Sequence, residues 1–366
     1  MEKCVIHIVS NKAWGGGEQY VYDLARRQLA DGYRVLAVCR PVEAVVSRFR
    51  ALGVLAGTLP LRGMADLQSA CRLASMLRKI QGFCLVHVHN FKDAFTAAYA
   101  CRLAGRPDVR LVMTRHLVRP GKTSPPYRWL YRQLDAVVFV SDLARTEFYS
   151  TRPALPMGRT AVIRPAVVVP DGVVPADLRG RYGIPPSDLI AMYHGRLDPE
   201  KGLDPLLEAM ATLHGRPLQL LLVGRGSDAY TAQLKQKAQA LGIADRVHFA
   251  GFQSEVLPYV AAADFGVLPS TVREACPLSP QEYMSQGVPV VATDNGGQRE
   301  YLRHGENSLL VPPADPTALA DAMARLADDA DLRRRLGCQA RADFDSTLAY
   351  DHFYSAMRSL YQSLKY

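Results

Sequence analysis

Short, β-branched apolar runs alternate with longer stretches whose apolar residues recur every three to four positions, and the alternation continues along almost the whole chain. A first series predicts strands over 4–10, 34–40, 55–60, 84–88, 109–114, 135–140 and 160–164, with helices over 18–30, 43–52, 65–80, 92–105 and 142–149. A second series predicts strands over 188–194, 217–223, 246–249, 263–268, 288–292 and 307–311. Its helices fall over 202–213, 228–241, 254–262, from 298, and over 315–327 and 329–338. Apolar strands separated by helices are covered on both faces, so each series predicts an α/β, Rossmann-like, doubly wound parallel sheet. Such sheets bind ligands beyond the carboxyl ends of their strands. Between the two series, the stretch from Arg164 to Pro175 carries three prolines and a glycine without helical period, and it reads as an interdomain crossing. The expected organisation is a first domain over 1–165, a linker over 166–176, a second domain over 177–344 and a Tyr- and Leu-rich helix over 345–366.

The chemistry concentrates where the second series is interrupted. In Glu274-Ala-Cys-Pro-Leu-Ser-Pro-Gln-Glu282 two carboxylates stand eight residues apart, and Pro277 and Pro280 forbid one helix through both. Glu274 is therefore expected on a loop. Glu282 is expected in the first turns of a helix that begins near Ser279 or Pro280 and ends at Gly287. Free amides at a helix start suit a phosphate, and carboxylates accept paired hydrogen bonds from vicinal hydroxyls. A ligand offering diol, phosphate and diol in that order is a nucleotide sugar. The plain alternative is two surface acids flanking a turn.

Other turns carry compatible signals. Gly195-Arg196-Leu-Asp-Pro-Glu-Lys201-Gly202 follows the first strand of the second series, and its Arg and Lys can converge on one diphosphate, the Arg fork-wise and the Lys as a point charge. The alternative there is two solvated bases. The strand-end turns at Gly224 and Gly226 and at Gly251-Phe252 suit the walls of a nucleotide pocket, or are ordinary turns. Gly15, Gly16 and Gly17 precede Glu18 at the opening of the first helix, where glycine lets backbone approach a phosphate or sugar closely. Glu18 is expected to cap that helix. The spacing is not GxGxxG, so dinucleotide binding is not indicated. Of nine histidines, His116 follows a strand on the ligand-binding side; His87 and His89 read as core or pocket lining, and His7 as core.

Charge adds one more feature. Residues 1–165 hold 25 Lys and Arg against 11 Asp and Glu, whereas 166–366 hold 19 against 24, so the basic excess lies wholly in the first half. Residues 109–134 contain six Lys or Arg and no acid, with Tyr127, Trp129 and Tyr131 interleaved. Arg115, Arg119, Lys122, Arg128, Trp129 and Arg132 thus form a candidate patch for an anionic membrane surface or a lipid-diphosphate acceptor, or else a solvated basic face. No RNA- or DNA-binding motif accompanies it, so nucleic acid is not an expected partner. The 366 residues suffice for two domains, and no apolar run approaches the ~18 of a membrane helix. Seven cysteines without CxxC or Cys/His spacing, and a start that runs directly into a strand, suggest reduced thiols and a cytoplasmic protein.

The Glu-x7-Glu spacing followed by Gly-x-Pro-Val-x-Ala-x-x-x-Gly-Gly, together with Gly-Arg-Leu-x-x-x-Lys-Gly, resembles the retaining family 4 glycosyltransferases, also called glycosyl transferases group 1. The resemblance implies a GT-B fold, two Rossmann-like domains facing each other across a cleft, and transfer of a sugar from a nucleoside diphosphate donor to a saccharide or lipid-linked acceptor. By it His116, Arg196, Lys201 and Glu274 are catalytic. Gly15, Gly16, Gly17, Gly195, Gly224, Gly226, Phe252, Pro277, Leu278, Ser279 and Glu282 bind the donor, with Glu282 on the ribose. No cofactor or metal is implied, since no Asp-x-Asp pair stands where one would be needed. Cys276 and Pro277 depart from the aromatic and glycine usual in the family after the first Glu. The resemblance places the enzyme in cell-surface polysaccharide or lipopolysaccharide assembly, peripheral to the inner membrane face. Its rivals are a nucleotide-sugar 2-epimerase and a non-catalytic glycosyltransferase-like subunit.

Overall fold

The computed structural model describes residues 3–365. The chain divides into two compact units, one comprising the residues up to Pro165 together with those from Asp351 onward, the other Ala166–Tyr350.

The first unit is built on seven parallel strands: β1 (Cys4–Val9), β2 (Arg34–Cys39), β3 (Leu55–Thr58), β4 (Cys84–Val88), β5 (Val109–Arg115), β6 (Ala136–Phe139) and β7 (Thr160–Val162). They lie in the order β3-β2-β1-β4-β5-β6-β7, with Cys4 opposite both Arg34 and Cys84. Every residue of β1 and β4 is buried, as strands covered by helices on both faces require. The chain reverses its direction of travel across the sheet between β1 and β4, so a crevice opens at their carboxyl ends. Polar caps set the helix starts that frame it. The Asn90 side chain accepts from Asp93 N and that of Ser141 from Ala144 N, contributing about 1 kcal/mol each. The final helix, Tyr350–Ser363, buries Phe353, Tyr354, Met357 and Tyr361 at helical spacing. Phe353 packs on Tyr20, and Arg27–Asp351 and Arg358–Asp31 ion pairs at 2.9 and 3.6 Å fix its polar edge.

The second unit has six parallel strands: β8 (Leu189–His194), β9 (Leu218–Val223), β10 (Val247–Gly251), β11 (Phe265–Leu268), β12 (Val290–Thr293) and β13 (Ser308–Val311). Their order, β10-β9-β8-β11-β12-β13, puts the reversal between β8 and β11. The helix Leu203–Thr212 lays Leu203, Leu206, Leu207 and Met210 against the sheet, each fully buried and contributing roughly 2 kcal/mol by removal from water.

Several local readings change. The proline-rich stretch packs on the second unit, with Val167 buried in its core, and a helix at Leu178–Tyr182, capped by Asp177, follows it. Five residues give too little periodicity to be seen in sequence. The segment from 298 is a single 3₁₀ turn, Gly297–Glu300, and the helix expected over 329–338 continues to Asp343. The last helix starts at Tyr350, after a wide turn over Phe344–Leu348, and not at 345. Among the described residues no helix is long and apolar enough to cross a membrane.

Candidate active site

In the second unit the loops that leave β8, β9, β11 and β12 stack on one another at the carboxyl edge. Gly224, with φ +146°, lies so close to the β8 loop that a Cβ there would stand 1.8 Å from the carbonyl oxygen of Gly195. At Gly202 a Cβ would stand 1.9 Å from the carbonyl oxygen of Pro269. Only glycine fits such backbone-on-backbone contact. The stack is stitched by Gly195 N to Val223 O at 2.9 Å and Thr271 N to Glu200 O at 3.1 Å. As a result Lys201, from the β8 loop, reaches Glu274, from the β11 loop: Nζ donates to Oε2 at 2.7 Å. Ser270 Oγ donates to the other carboxylate oxygen, and the Glu274 carbonyl accepts from Gly297 N at 2.8 Å. Lys201 and Glu274 are only 20% and 15% exposed, so this is a partly desolvated ion pair at the topological reversal, where an α/β sheet binds ligands.

Glu282 meets a partner that sequence did not disclose. Its Oε2 lies 3.3 Å from Nε2 of His194, the last residue of β8. Burial pushes His194 down to about 4, with one compensating contact to the Ser279 backbone, so the ring is neutral at physiological pH. The signal available was that His194 directly precedes Gly195-Arg196, but as a strand terminus it reads as core. The helix bearing Glu282 spans Ser279–Ser285, with Leu278 at its cap position and Pro280 in its first turn, so Ser279 is its first helical residue and not its cap. Tyr283 OH donates to Met192 O and Tyr301 OH to Pro277 O, at 2.7 and 2.6 Å, clamping the loop and helix onto the sheet.

Arg196 and Lys201, expected to converge on one diphosphate, make separate contacts here. The Arg196 guanidinium is 62% exposed and 3.6 Å from Asp198 on its own loop, while its carbonyl accepts from Tyr193 OH. An exposed pair at this distance contributes little, so the contact with Asp198 does not fix the side chain. Phe252, after Gly251, is 58% exposed, and Leu278 is half-buried.

Gly15, Gly16 and Gly17 lie in the first unit, whereas the other donor-binding candidates lie in the second. Gly15 is the cap residue of the first helix with no side-chain cap, and Glu18 folds back over it: a Cβ on Gly15 would be 3.6 Å from Glu18 Oε2. Glu18 is buried, accepts from Asn11 Nδ2, and has its carboxyl raised by burial. The carboxylate expected as a cap thus lies where an anion would otherwise approach.

Four histidines cluster where β1, β4 and β5 run side by side, His7 and His87 within their strands. His7 Nε2 meets Gln28 Oε1 at 2.8 Å, and His87 is held between Thr114 Oγ1 at 2.8 Å and Tyr361 OH at 2.7 Å. His89 lies between His7 and His116, with ring centres 5.7 and 5.8 Å away, and Tyr20 stands edge-on to His116 at 5.0 Å. Burial lowers His7 and His116 to about 4 and holds His87 and His89 well below the usual imidazole value. One nitrogen from each of His7, His87 and His89 lies within 4.8 Å of the others, a spacing a transition metal can use. Both nitrogens of His87 are already engaged, however, which fits a hydrogen-bonded core better than a ligand set.

The basic segment splits. Arg119, Lys122, Arg128 and Arg132 are exposed, but Arg115 is buried between Phe91 and Phe148, and Trp129 stacks on Tyr99 at 4.9 Å. Tyr131 is wholly buried. The aromatics expected at a lipid surface pack inward because helix Pro125–Gln133 is amphipathic and its apolar stripe faces the core.

Two doubly wound parallel sheets, each with a polar crevice at its reversal, define the architecture of GT-B sugar transferases. Residues 14–169 match the family described as Glycosyltransferase Family 4, and 176–343 that described as Glycosyl transferases group 1. A D-inositol 3-phosphate glycosyltransferase of Streptomyces scabiei is 34% identical over 372 aligned positions, covering 91% of this chain and 83% of that protein. Phosphatidyl-myo-inositol mannosyltransferase of Mycobacterium leprae is 30% identical over 344, covering 88% and 86%. The crystal structure of Anabaena HepE in complex with UDP matches with a TM-score of 0.84 at 21% identity, over 99% of this chain and 100% of that one. The chain belongs to the group 1 glycosyltransferases of family 4.

Proposed function

We propose that this glycosyltransferase moves a hexose-type sugar from a nucleoside diphosphate donor held by the second unit to a saccharide or lipid-linked acceptor held by the first. Transfer proceeds with retention at the anomeric carbon and without a metal ion. The Lys201–Glu274 pair at the β8–β11 reversal carries the reading. An ammonium already poised at the carboxyl edge receives the diphosphate, and Glu274, steadied by Ser270, accepts hydrogen bonds from the sugar hydroxyls.

Arg196, exposed and weakly tied to Asp198, is free to swing its fork onto the same diphosphate. Two cations there neutralise the charge that develops as the anomeric C–O bond breaks, the part a divalent ion plays in other transferases. The acceptor oxygen attacks the face the diphosphate leaves, and the departing phosphate oxygen takes the acceptor proton. Glu282, beside neutral His194, binds the ribose hydroxyls. His116, neutral through burial, supplies a hydrogen bond to the sugar and is not a general base.

The UDP bound by HepE supports a donor of this class, and a relative acting on phosphatidyl-myo-inositol supports a lipid-linked acceptor. The exposed bases Arg119, Lys122, Arg128 and Arg132 suit an anionic membrane face, in keeping with glycan assembly at the cell surface from the cytoplasmic side. Calorimetry of nucleoside diphosphates with the wild type and Glu282→Ala tests the donor assignment: affinity should fall at least about tenfold in the variant. Equal affinities would remove Glu282 from the ribose. NMR of the product's anomeric coupling tests retention, and activity maintained in excess chelator tests metal independence.

A further inference from the structure

Arg115 ends β5 and is 7% exposed, but among the described residues no carboxylate reaches its guanidinium. The segment 109–134 has no acid, and Arg119, of like sign, acts against the charge of Arg115. The guanidinium lies over the rings of Phe91 and Phe148, each ring centre 5.0 Å from Cζ. Nη2 donates to the Arg119 carbonyl at 2.5 Å, while Nε is buried with no acceptor. Burial lowers the group only to about 10, so it stays charged at neutral pH.

A buried cation is costly unless paired, and two ring faces with one carbonyl offset part of that cost. The residue lies at the carboxyl edge of a parallel sheet, next to His116, where ligands of such sheets sit. We propose that Arg115 is the recognition residue for a phosphate-class oxyanion carried by the acceptor. The assignment to the acceptor rests on the reading that the first unit holds it. The Phe rings beside the guanidinium take no in-plane hydrogen bond, so the donors left in its plane, Nε–H first, are what an oxyanion's oxygens can meet. The like-charged Arg119 beside it favours a dianion over a monoanion.

The test is ¹H–¹⁵N correlation of arginine Nε–H groups in the wild-type chain. The Arg115 signal is recognisable by its ring-current shift and slow exchange, and Arg115→Lys confirms it by its disappearance. Two probes separate the sources: inorganic phosphate, and phosphatidylcholine vesicles with or without phosphatidic acid. The expected result is a saturable shift of that resonance with phosphate, or with phosphatidic acid vesicles alone if the oxyanion must be lipid-borne. Arg115→Lys, which keeps the charge but loses the fork, should bind the responding probe at least about tenfold more weakly. A resonance that stays fixed with both probes, or moves equally with sodium chloride at matched ionic strength, overturns the proposal. Arg115 would then be a pin for the loop to Arg119. Because nucleoside diphosphate affinity and its loss in Glu282→Ala are read separately, failure here leaves the donor assignment standing.

Discussion

Acid should weaken the first unit through His7, and the size of the effect follows from its burial. His7 is wholly buried, donates Nε2–H to Gln28 Oε1, and titrates near 4 in the fold against 6.5 when exposed. A folded value below the unfolded one means that the unfolded chain binds the proton first. The stabilising contribution is therefore complete above about pH 6.5, falls as pH drops, and is fully lost below about 4. At pH 5 the loss is about 2 kcal/mol from His7 alone. Asp93 works the other way: burial raises it to about 6, so protonation in the fold returns about 1 kcal/mol by pH 5. Glu18 and Asp23, also raised by burial, act in the same sense as Asp93, while His87, His89 and His116 shift in the same direction as His7, so four imidazoles set against three carboxyls make the net slope a loss. Both tryptophans, Trp14 and Trp129, lie in the first unit, so tryptophan fluorescence in urea follows this unit alone. Comparing unfolding at pH 7.5 and 5.0, His7→Gln should remove about 2 kcal/mol of the acid loss, because glutamine keeps a hydrogen bond to Gln28 without titrating. A variant whose stability depends on pH as the wild type's does would refute the reasoning.

Other perturbations separate chemistry from folding. Lys201→Ala should lower kcat/KM by roughly 10²–10³ and also lower the melting temperature, since Glu274 is left partly buried beside Ser270 alone; unchanged kinetics would detach Lys201 from the donor. Arg196→Ala, at an exposed site, should depress turnover with little change in melting, and a melting shift without kinetic loss would make it structural. Gly224→Ala should destabilise the second unit by about 3 kcal/mol or more, because a methyl cannot share space with the Gly195 carbonyl; a stable, active variant would show that the loops are not stacked. At low salt the chain should bind anionic vesicles through Arg119, Lys122, Arg128 and Arg132 and be released as salt approaches about 0.5 M, where the Debye length is only a few ångströms; absence of binding at low salt would exclude a membrane contact.

Local spacing carried much of the fold and some of the site. The runs Cys4–Val9 and Cys84–Val88 announce buried parallel strands because both of their faces are apolar. Pro277 and Pro280 place Glu274 on a loop and Glu282 on a helix, because a proline lacks the donor a continuous helix needs. What sequence could not supply were contacts between residues far apart in the chain. Lys201 finds Glu274 across 73 positions, and His194 finds Glu282 across 88, because the sheet reverses between β8 and β11 and brings loop ends together that no local pattern connects. Side-chain direction was equally hidden. Arg115, Trp129 and Tyr131 read as a solvent-facing cationic and aromatic patch, yet all three turn inward, since a helix or strand fixes which residues share a face while only packing decides which face is covered.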